Sequence, residues 1–141
     1  MLERRVATVF GGSIALHREI KSDLDFADVI VSGMPIQAVK NLQRYIGASD
    51  LRMAELISIT PKTFRSRKER FNKDEGNHAY TLARIIIEAE KAIGEKDEAL
   101  KWLTSNQLAL GNRKPIELIL TTAGAQAVED LLGRITYGVY S

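Results

Sequence analysis

The sequence lacks several features that would point to familiar classes of protein. None of its 141 residues is cysteine, which excludes disulfide bonds and thiol catalysis and is compatible with a reducing compartment. No apolar run approaches the roughly 20 residues that a membrane-spanning helix needs. The formal net charge is only +2, so any affinity for nucleic acid must come from local clustering of cations. Hydrophobic residues make up 45% of the chain, which is enough for a core in one or two small domains.

The N-terminal stretch carries neither a targeting signal nor a clear structural pattern. A basic start over residues 1–5 is followed by residues 6–12, which are too short and too mixed for a signal peptide. We therefore expect a cytoplasmic protein that does not associate with a membrane. The apolar residues before the Gly11-Gly12 pair fit either a short strand or one helical turn. We expect residues 1–22 to form a variable or partly disordered arm, available for dimer contacts.

No arrangement of side chains indicates catalysis. His17 and His78 stand alone, without the spaced ligands that a metal site needs. Gly11-Gly12 is not a phosphate loop, because neither a spaced third glycine nor a Lys-Ser/Thr pair follows it. The acidic residues at 95–98 are explained by the dipole of the helix that they begin. The sequence thus predicts a protein that is not an enzyme and has neither a metal site nor a cofactor.

Residues 48–73 have the pattern of a helix-turn-helix. Ser49 or Asp50 caps a first helix, and Thr60 caps a second helix that has Pro61 at its first position. The pattern predicts that the second helix runs to Phe71. Many helix-turn-helix sequences carry glycine in the turn at the position that Ser58 occupies here.

The second helix of this pair carries cations and short hydroxyl side chains at close spacing. In a nearly neutral protein this arrangement makes a local positive field, which favours contact with DNA. A recognition helix needs cations that bind phosphate and side chains that reach base edges, and Arg65 and Arg67 are suited to bidentate contact with guanine. A charged helix face that is merely solvated is the alternative. The candidate DNA-binding residues are Lys62, Thr63, Arg65, Ser66, Arg67 and Arg70.

The last stretch of the chain predicts two helices and a short apolar tail. Pro115 suits the first position of one helix. The second helix follows Thr121-Thr122, either of which is a plausible N-cap, and it buries a face that includes Val128 and Leu132. Gly138 stands where a left-handed glycine would end this helix. With amphipathic helices also predicted between residues 23 and 103, the fold class is all-α.

This C-terminal pattern resembles the toxin-binding domain of Xre/MbcA/ParS-type antitoxins. One departure is Asn112, where the family usually has a second glycine, although Asn tolerates left-handed backbone angles better than most residues. The pattern extends over about forty residues and comprises Trp102, Leu103, Asn106, Leu108, Leu110, Gly111, Pro115, Leu118, Thr121, Gly124, Val128, Leu131, Arg134, Ile135, Gly138, Val139 and Tyr140.

The helix-turn-helix region is similar to the Xre-like domain of the same antitoxins. The resemblance therefore implies an N-terminal helix-turn-helix bundle and a small C-terminal helical toxin-binding domain. We expect an N-terminal arm over residues 1–22, the Xre-like domain over 23–76 and the toxin-binding domain over 77–141. The matching residues are Leu51, Ala54, Leu56, Ile59, Thr63, Phe64, Arg65 and Arg67.

The resemblance implies an antitoxin that neutralises a RES-domain toxin, a class that consumes NAD, and that represses its own operon. A homodimer is expected, because two half-sites of a palindromic operator match two recognition helices. The hypothesis for the tail is that its carboxylate and Tyr140 enter or cover the active site of the toxin. Arg134 would pair with an acidic group of the toxin, or would instead neutralise the end of its helix. The candidate toxin-binding residues are Arg134, Tyr137, Gly138, Val139, Tyr140 and Ser141.

Two other functions remain compatible with the sequence. One is a helix-turn-helix transcriptional regulator whose C-terminal domain dimerises or binds another protein. The other is an interaction protein whose helix-turn-helix no longer binds DNA, which the serine in the turn would favour.

Overall fold

The fold is all-α, as the sequence predicts, in a computed structural model that describes residues 2–138. The chain divides into two compact units, residues 1–83 and residues 84–141, and the division falls inside the longest helix. The helices are α1 (Leu2–Val9), α2 (Gly12–Leu16), α3 (Asp23–Ser32), α4 (Ile36–Ile46), α5 (Asp50–Leu56), α6 (Pro61–Ser66), α7 (Lys73–Ala92), α8 (Lys96–Leu103), α9 (Pro115–Leu118) and α10 (Thr122–Thr136), with a 3₁₀ turn at Leu108–Leu110.

The N-terminal stretch is an integral part of the first unit. Phe10 is fully buried, and its ring lies 6.0 Å from that of Phe26 on α3. Asn41 on α4 donates a hydrogen bond of 2.9 Å from Nδ2 to the carbonyl of Phe10. The expectation of partial disorder is therefore wrong for residues 2–22. The sequence pattern was weak because the glycine pair divides the stretch into two short helices, neither of which completes a long periodic face.

Two short strands interrupt the helices of the first unit. Strand β1 (Met34–Pro35) pairs antiparallel with β2 (Arg70–Phe71), with Met34 opposite Phe71. The expectation that the second helix of the helix-turn-helix runs to Phe71 is therefore wrong, because α6 ends at Ser66. Pairing with β1 holds residues 70 and 71 extended, and long-range pairing of this kind overrides local helix propensity.

The start of α7 also differs from the sequence-based expectation. The sequence alone indicates a polar break over residues 74–77, with Asn77 as the cap of the helix that follows. In the structure Asn77 lies inside α7, and the helix is capped by Asn72. The Oδ1 atom of Asn72 accepts the backbone N–H of Glu75, while Oε1 of Glu75 accepts the N–H of Asn72, each at 2.9 Å. This reciprocal pair is a capping box, which satisfies two backbone donors at the helix start.

The second unit is built from the later part of α7 and the helices that follow it. Helix α9 packs against α8 and α10, and the core includes Ile86, Leu103 and Val128, all fully buried. Thr121 caps α10 by accepting the backbone N–H of Gly124 at 3.0 Å. Gly138 has φ +68°, which confirms a left-handed glycine just beyond the end of α10. Across residues 2–138, none of the helices combines the length and the apolar character needed to cross a membrane.

Candidate functional site

Helices α5 and α6 form the helix-turn-helix. Ser49 and Thr60 cap them, as the sequence predicts, by accepting the N–H groups of Arg52 and Thr63 at 3.1 Å. Ser58 has φ +61° in the turn. Serine here adopts the left-handed conformation that glycine usually provides. The N–H of Ile59 donates to the carbonyl of Ala54 at 3.0 Å and closes the turn.

The solvent-facing surface of α6 carries three of the six candidate DNA-binding residues. Lys62, Arg65 and Ser66 are exposed, and the Oγ of Ser66 donates to the carbonyl of Thr63 at 3.0 Å. Thr63 is half-buried, and its Oγ accepts a hydrogen bond from the Thr60 hydroxyl at 3.0 Å. The opposite side of the helix is fixed by Phe64, whose ring stacks 5.6 Å from that of Phe71. The burial of Phe64 therefore orients Lys62 and Arg65 outward.

Arg67 is engaged inside the N-terminal unit. Its Nη2 lies 2.6 Å from Oε2 of Glu75 and its Nε donates to Oε1 at 3.1 Å. Glu75 is only 4% exposed, so this carboxylate serves both the capping box of α7 and a bidentate ion pair. The hydrogen bonds that Arg67 donates to Glu75 also raise the pKa of the Arg67 guanidinium. Arg67 follows the end of α6 in an extended conformation, and its guanidinium is committed to Glu75.

Arg70 is part of strand β2 rather than of the recognition helix. Its Nη1 donates to the carbonyl of Gly33 at 2.9 Å, which ties β2 to the end of α3. The residue is exposed overall, so the rest of its side chain faces solvent. The structure thus separates the six candidates into four on α6 and two, Arg67 and Arg70, that hold the segments after it.

The candidate toxin-binding residues lie at the end of α10 and beyond it. Arg134 is half-buried in the last turn of α10, where its charge also complements the helix dipole. Tyr137 is 77% exposed. Gly138 is exposed. Val139, Tyr140 and Ser141 lie outside the described residues, so their proposed contacts with the toxin stay a prediction.

The loop before α9 presents a second exposed apolar side chain. Gln107 and Arg113 form an antiparallel bridge, and Gly111 and Asn112 between them have φ +69° and +58°. The prediction that Asn112 tolerates a left-handed turn is confirmed. Leu108 at the tip is 88% exposed. Sequence reasoning counted it only as part of the family pattern, because a single leucine carries no periodic signal for exposure.

Charged side chains from α7 and α10 meet on the surface of the second unit. Nε of Arg84 lies 3.6 Å from Oε1 of Glu88 and 3.8 Å from Oε1 of Glu129. Burial raises the pKa of Glu88, the negative charge of Glu129 raises it further, and Arg84 opposes the shift. Sequence reasoning missed this group, since 41 residues separate the two glutamates and no local spacing relates them.

Comparison with known proteins assigns a family to each part of the chain. Residues 25–84 match the family described as antitoxin Xre-like helix-turn-helix domain. Residues 88–138 match the family described as antitoxin Xre/MbcA/ParS C-terminal toxin-binding domain. The two matches follow one another along the chain, and residues 1–24 lie outside both.

Three relatives carry the name Antitoxin Xre. One from Yersinia enterocolitica is 26% identical over 135 residues, covering 90% of this chain and 91% of the relative. One from Photorhabdus laumondii is 29% identical over 117 residues, with coverage of 80% and 79%. One from Pseudomonas putida is 25% identical over 123 residues, with coverage of 85% and 76%. The chain therefore belongs to the Xre/MbcA/ParS family of antitoxins, with a helix-turn-helix domain followed by a toxin-binding domain.

Proposed function

We propose that this chain neutralises a RES-domain toxin that consumes NAD and represses the operon encoding both proteins. The family match over residues 88–138 is the single observation that carries this proposal, because that region is named for binding toxin. The C-terminal domain and the tail cover the active site of the toxin in the cytoplasm. The candidate contacts in this domain are Arg134, Tyr137, Gly138, Val139, Tyr140 and Ser141.

Operator binding is assigned to the outer surface of α6. Lys62 and Arg65 are exposed there, and Thr63 and Ser66 are short enough to reach phosphate oxygens or base edges. Because the operator of a dimeric repressor is palindromic, a homodimer presents two copies of α6 to two half-sites. Arg67 and Arg70 support operator binding indirectly. Each is bound within the chain, and together they hold α6 and β2 in position.

Co-expression with the cognate RES-domain toxin tests the antitoxin function. Cellular NAD should fall when the toxin is expressed alone and should be restored when this chain is present, and the two proteins should co-purify. A chain that lacks Val139 to Ser141 should lose neutralisation while it still binds the operator. Full neutralisation by the truncated chain would remove the tail from the mechanism. Unchanged NAD and no co-purification would refute the antitoxin function itself.

A gel-shift titration on the promoter of the operon tests repression. Arg65→Ala should weaken operator binding by on the order of 10-fold, because it removes an exposed cation from the recognition helix. Lys101→Ala, an exposed substitution on α8, is the matched control for loss of one positive charge. Equal affinities of the two variants would contradict the assignment of α6 as the recognition helix.

A further inference from the structure

The second unit contains a surface cavity, and of the candidate toxin-binding residues only Tyr137 lines it within the described part of the chain. Its volume is about 120 Å³, and it is lined by Glu88, Lys91, Glu129, Leu132, Gly133, Thr136 and Tyr137. The two carboxylates outnumber the single ammonium group and make one wall predominantly acidic, while the other wall is apolar and aromatic. A cavity with this division suits a guest that has a charged end and an aliphatic stem.

Gly133 borders space that residues 2–138 leave unfilled. It lies inside α10, where glycine is the least favourable residue after proline. A Cβ atom added to Gly133 would meet nothing within 4 Å, so neither packing nor backbone conformation within residues 2–138 requires glycine here. Gly124 in the same helix is the opposite case, since a Cβ atom there would overlap the carbonyl of Leu118. The glycine therefore leaves the helix backbone at 133 open to close approach by an external group.

The acidic wall is incompletely neutralised. Glu88 and Glu129 share the guanidinium of Arg84, which does not belong to the cavity lining, at distances of 3.6 and 3.8 Å. The Oε2 atom of Glu88 is buried and has no hydrogen-bond partner among residues 2–138. Buried oxygens of this kind are costly unless a donor reaches them. Lys91 also borders the cavity, so a guest must compete with its ammonium group. A guanidinium competes well because it donates several hydrogen bonds in a fixed plane.

We propose that this cavity receives an arginine side chain of the toxin. The guanidinium donates to Glu88 and Glu129, the aliphatic stem lies along Leu132 and Gly133, and the exposed ring of Tyr137 covers the guanidinium plane. The proposal rests on the proposed function, since the guest belongs to the toxin that the family match implies. It places a specificity site on α7 and α10 rather than in residues 139–141.

Affinity measurements between the full chain and the cognate toxin test the cavity. Gly133→Leu fills the space and should lower affinity by on the order of 10-fold or more, because it blocks entry of a buried anchor side chain. Glu129→Gln should lower affinity on the order of 10-fold, because it removes half of the charge that holds the guanidinium. Asp130→Asn, which alters a neighbouring carboxylate on the exposed side of α10, is the control and should bind like the unmodified chain.

Thermal unfolding of each variant shows whether a loss of affinity comes from misfolding. If Gly133→Leu and Glu129→Gln are folded and bind as tightly as the unmodified chain, the cavity proposal is overturned while the antitoxin function stands. If the unmodified chain does not bind the toxin, both are overturned.

Alanine substitution of the surface arginines of the toxin identifies the guest. One arginine should show an effect on affinity that is not additive with that of Glu129→Gln. Additive effects for every arginine, or coupling to a lysine instead, would also overturn the proposal.

Discussion

Glu75 joins three segments of the N-terminal unit through one carboxylate. It accepts the N–H of Asn72, caps the start of α7 and holds Arg67 in a bidentate pair, while only 4% of its surface is exposed. We expect Glu75→Ala to lower the free energy of unfolding by about 2 kcal/mol, because it leaves buried donors without acceptors. Chemical denaturation followed by circular dichroism measures this difference. Asp74→Ala, an exposed change in the same turn, should have little effect, and equal losses would contradict the role of Glu75.

Glu88 should make stability depend on pH. Burial and the neighbouring Glu129 raise its pKa above the ordinary value of 4.5, so the folded chain holds the proton more tightly than the unfolded chain does. The stabilisation by protonated Glu88 is fully present below pH 4.5 and is lost as the pH rises through the raised pKa.

Glu88→Gln removes this titration. The variant should have a higher unfolding midpoint than the unmodified chain at about pH 7, and the difference should shrink towards about pH 4. Thermal unfolding at several pH values measures it, with a substitution of the exposed Glu117 on α9, Glu117→Gln, as the control. A difference that does not change with pH would show that the titration of Glu88 is not coupled to folding.

Single residues differ in how far sequence reasoning could place them. Thr60 at a helix start and Asn112 in a turn were predictable, because their roles depend on the backbone within a few residues. The position of Arg67 was not predictable, since its guanidinium binds a carboxylate eight residues later, on the helix that follows. Local periodicity predicts that Arg67 points outward on a helix. In the structure it lies beyond the end of α6 and binds Glu75.

At the scale of elements, alanine substitution of the two glycines of α10 should change the free energy of unfolding in opposite directions. A Cβ atom on Gly124 would overlap the carbonyl of Leu118, so Gly124→Ala must displace α9 from the start of α10. We expect a loss of about 2 kcal/mol or more in the free energy of unfolding. Gly133 faces open space, and Gly133→Ala should raise the free energy of unfolding by about 0.5 to 1 kcal/mol through helix propensity alone. Denaturant titration of both variants checks the contrast, and changes of the same sign would contradict it.

Long helices with one apolar face were the elements that the sequence predicted best. In α4 the apolar residues recur three or four positions apart, and this spacing alone predicts that Val39 and Leu42 are buried and that the helix stops at Gly47. Both side chains are fully buried, and Gly47 has φ +70°, which fits a stop signal. The paired strands escaped prediction because each has only two residues and their partners lie 35 or more positions apart. Short elements that depend on distant partners leave no period in the sequence.

At the scale of the whole molecule, the two compact units divide the proposed functions between them. The helix-turn-helix lies in residues 1–83, while the cavity and Tyr137 lie in residues 84–141. Within the first unit, α1, the turn after it and α2 contribute Val6, Phe10 and Leu16, respectively, to the core. The recognition helix has only six residues and depends on this core for its position. The N-terminal stretch is therefore expected to support operator binding without contact to DNA.

Deletion of residues 2–22 should consequently remove operator binding while toxin binding is retained. The deletion exposes Phe26 and the apolar face of α4, and the remaining helices of the first unit lose their common core. Phe10→Ala is a milder form of the same change. It should lower the free energy of unfolding by about 3 kcal/mol, since it leaves a cavity beside Phe26. Gel shift, toxin co-purification and circular dichroism together measure the three consequences. A deleted chain that keeps native helical content and still binds the operator would show that residues 2–22 are dispensable.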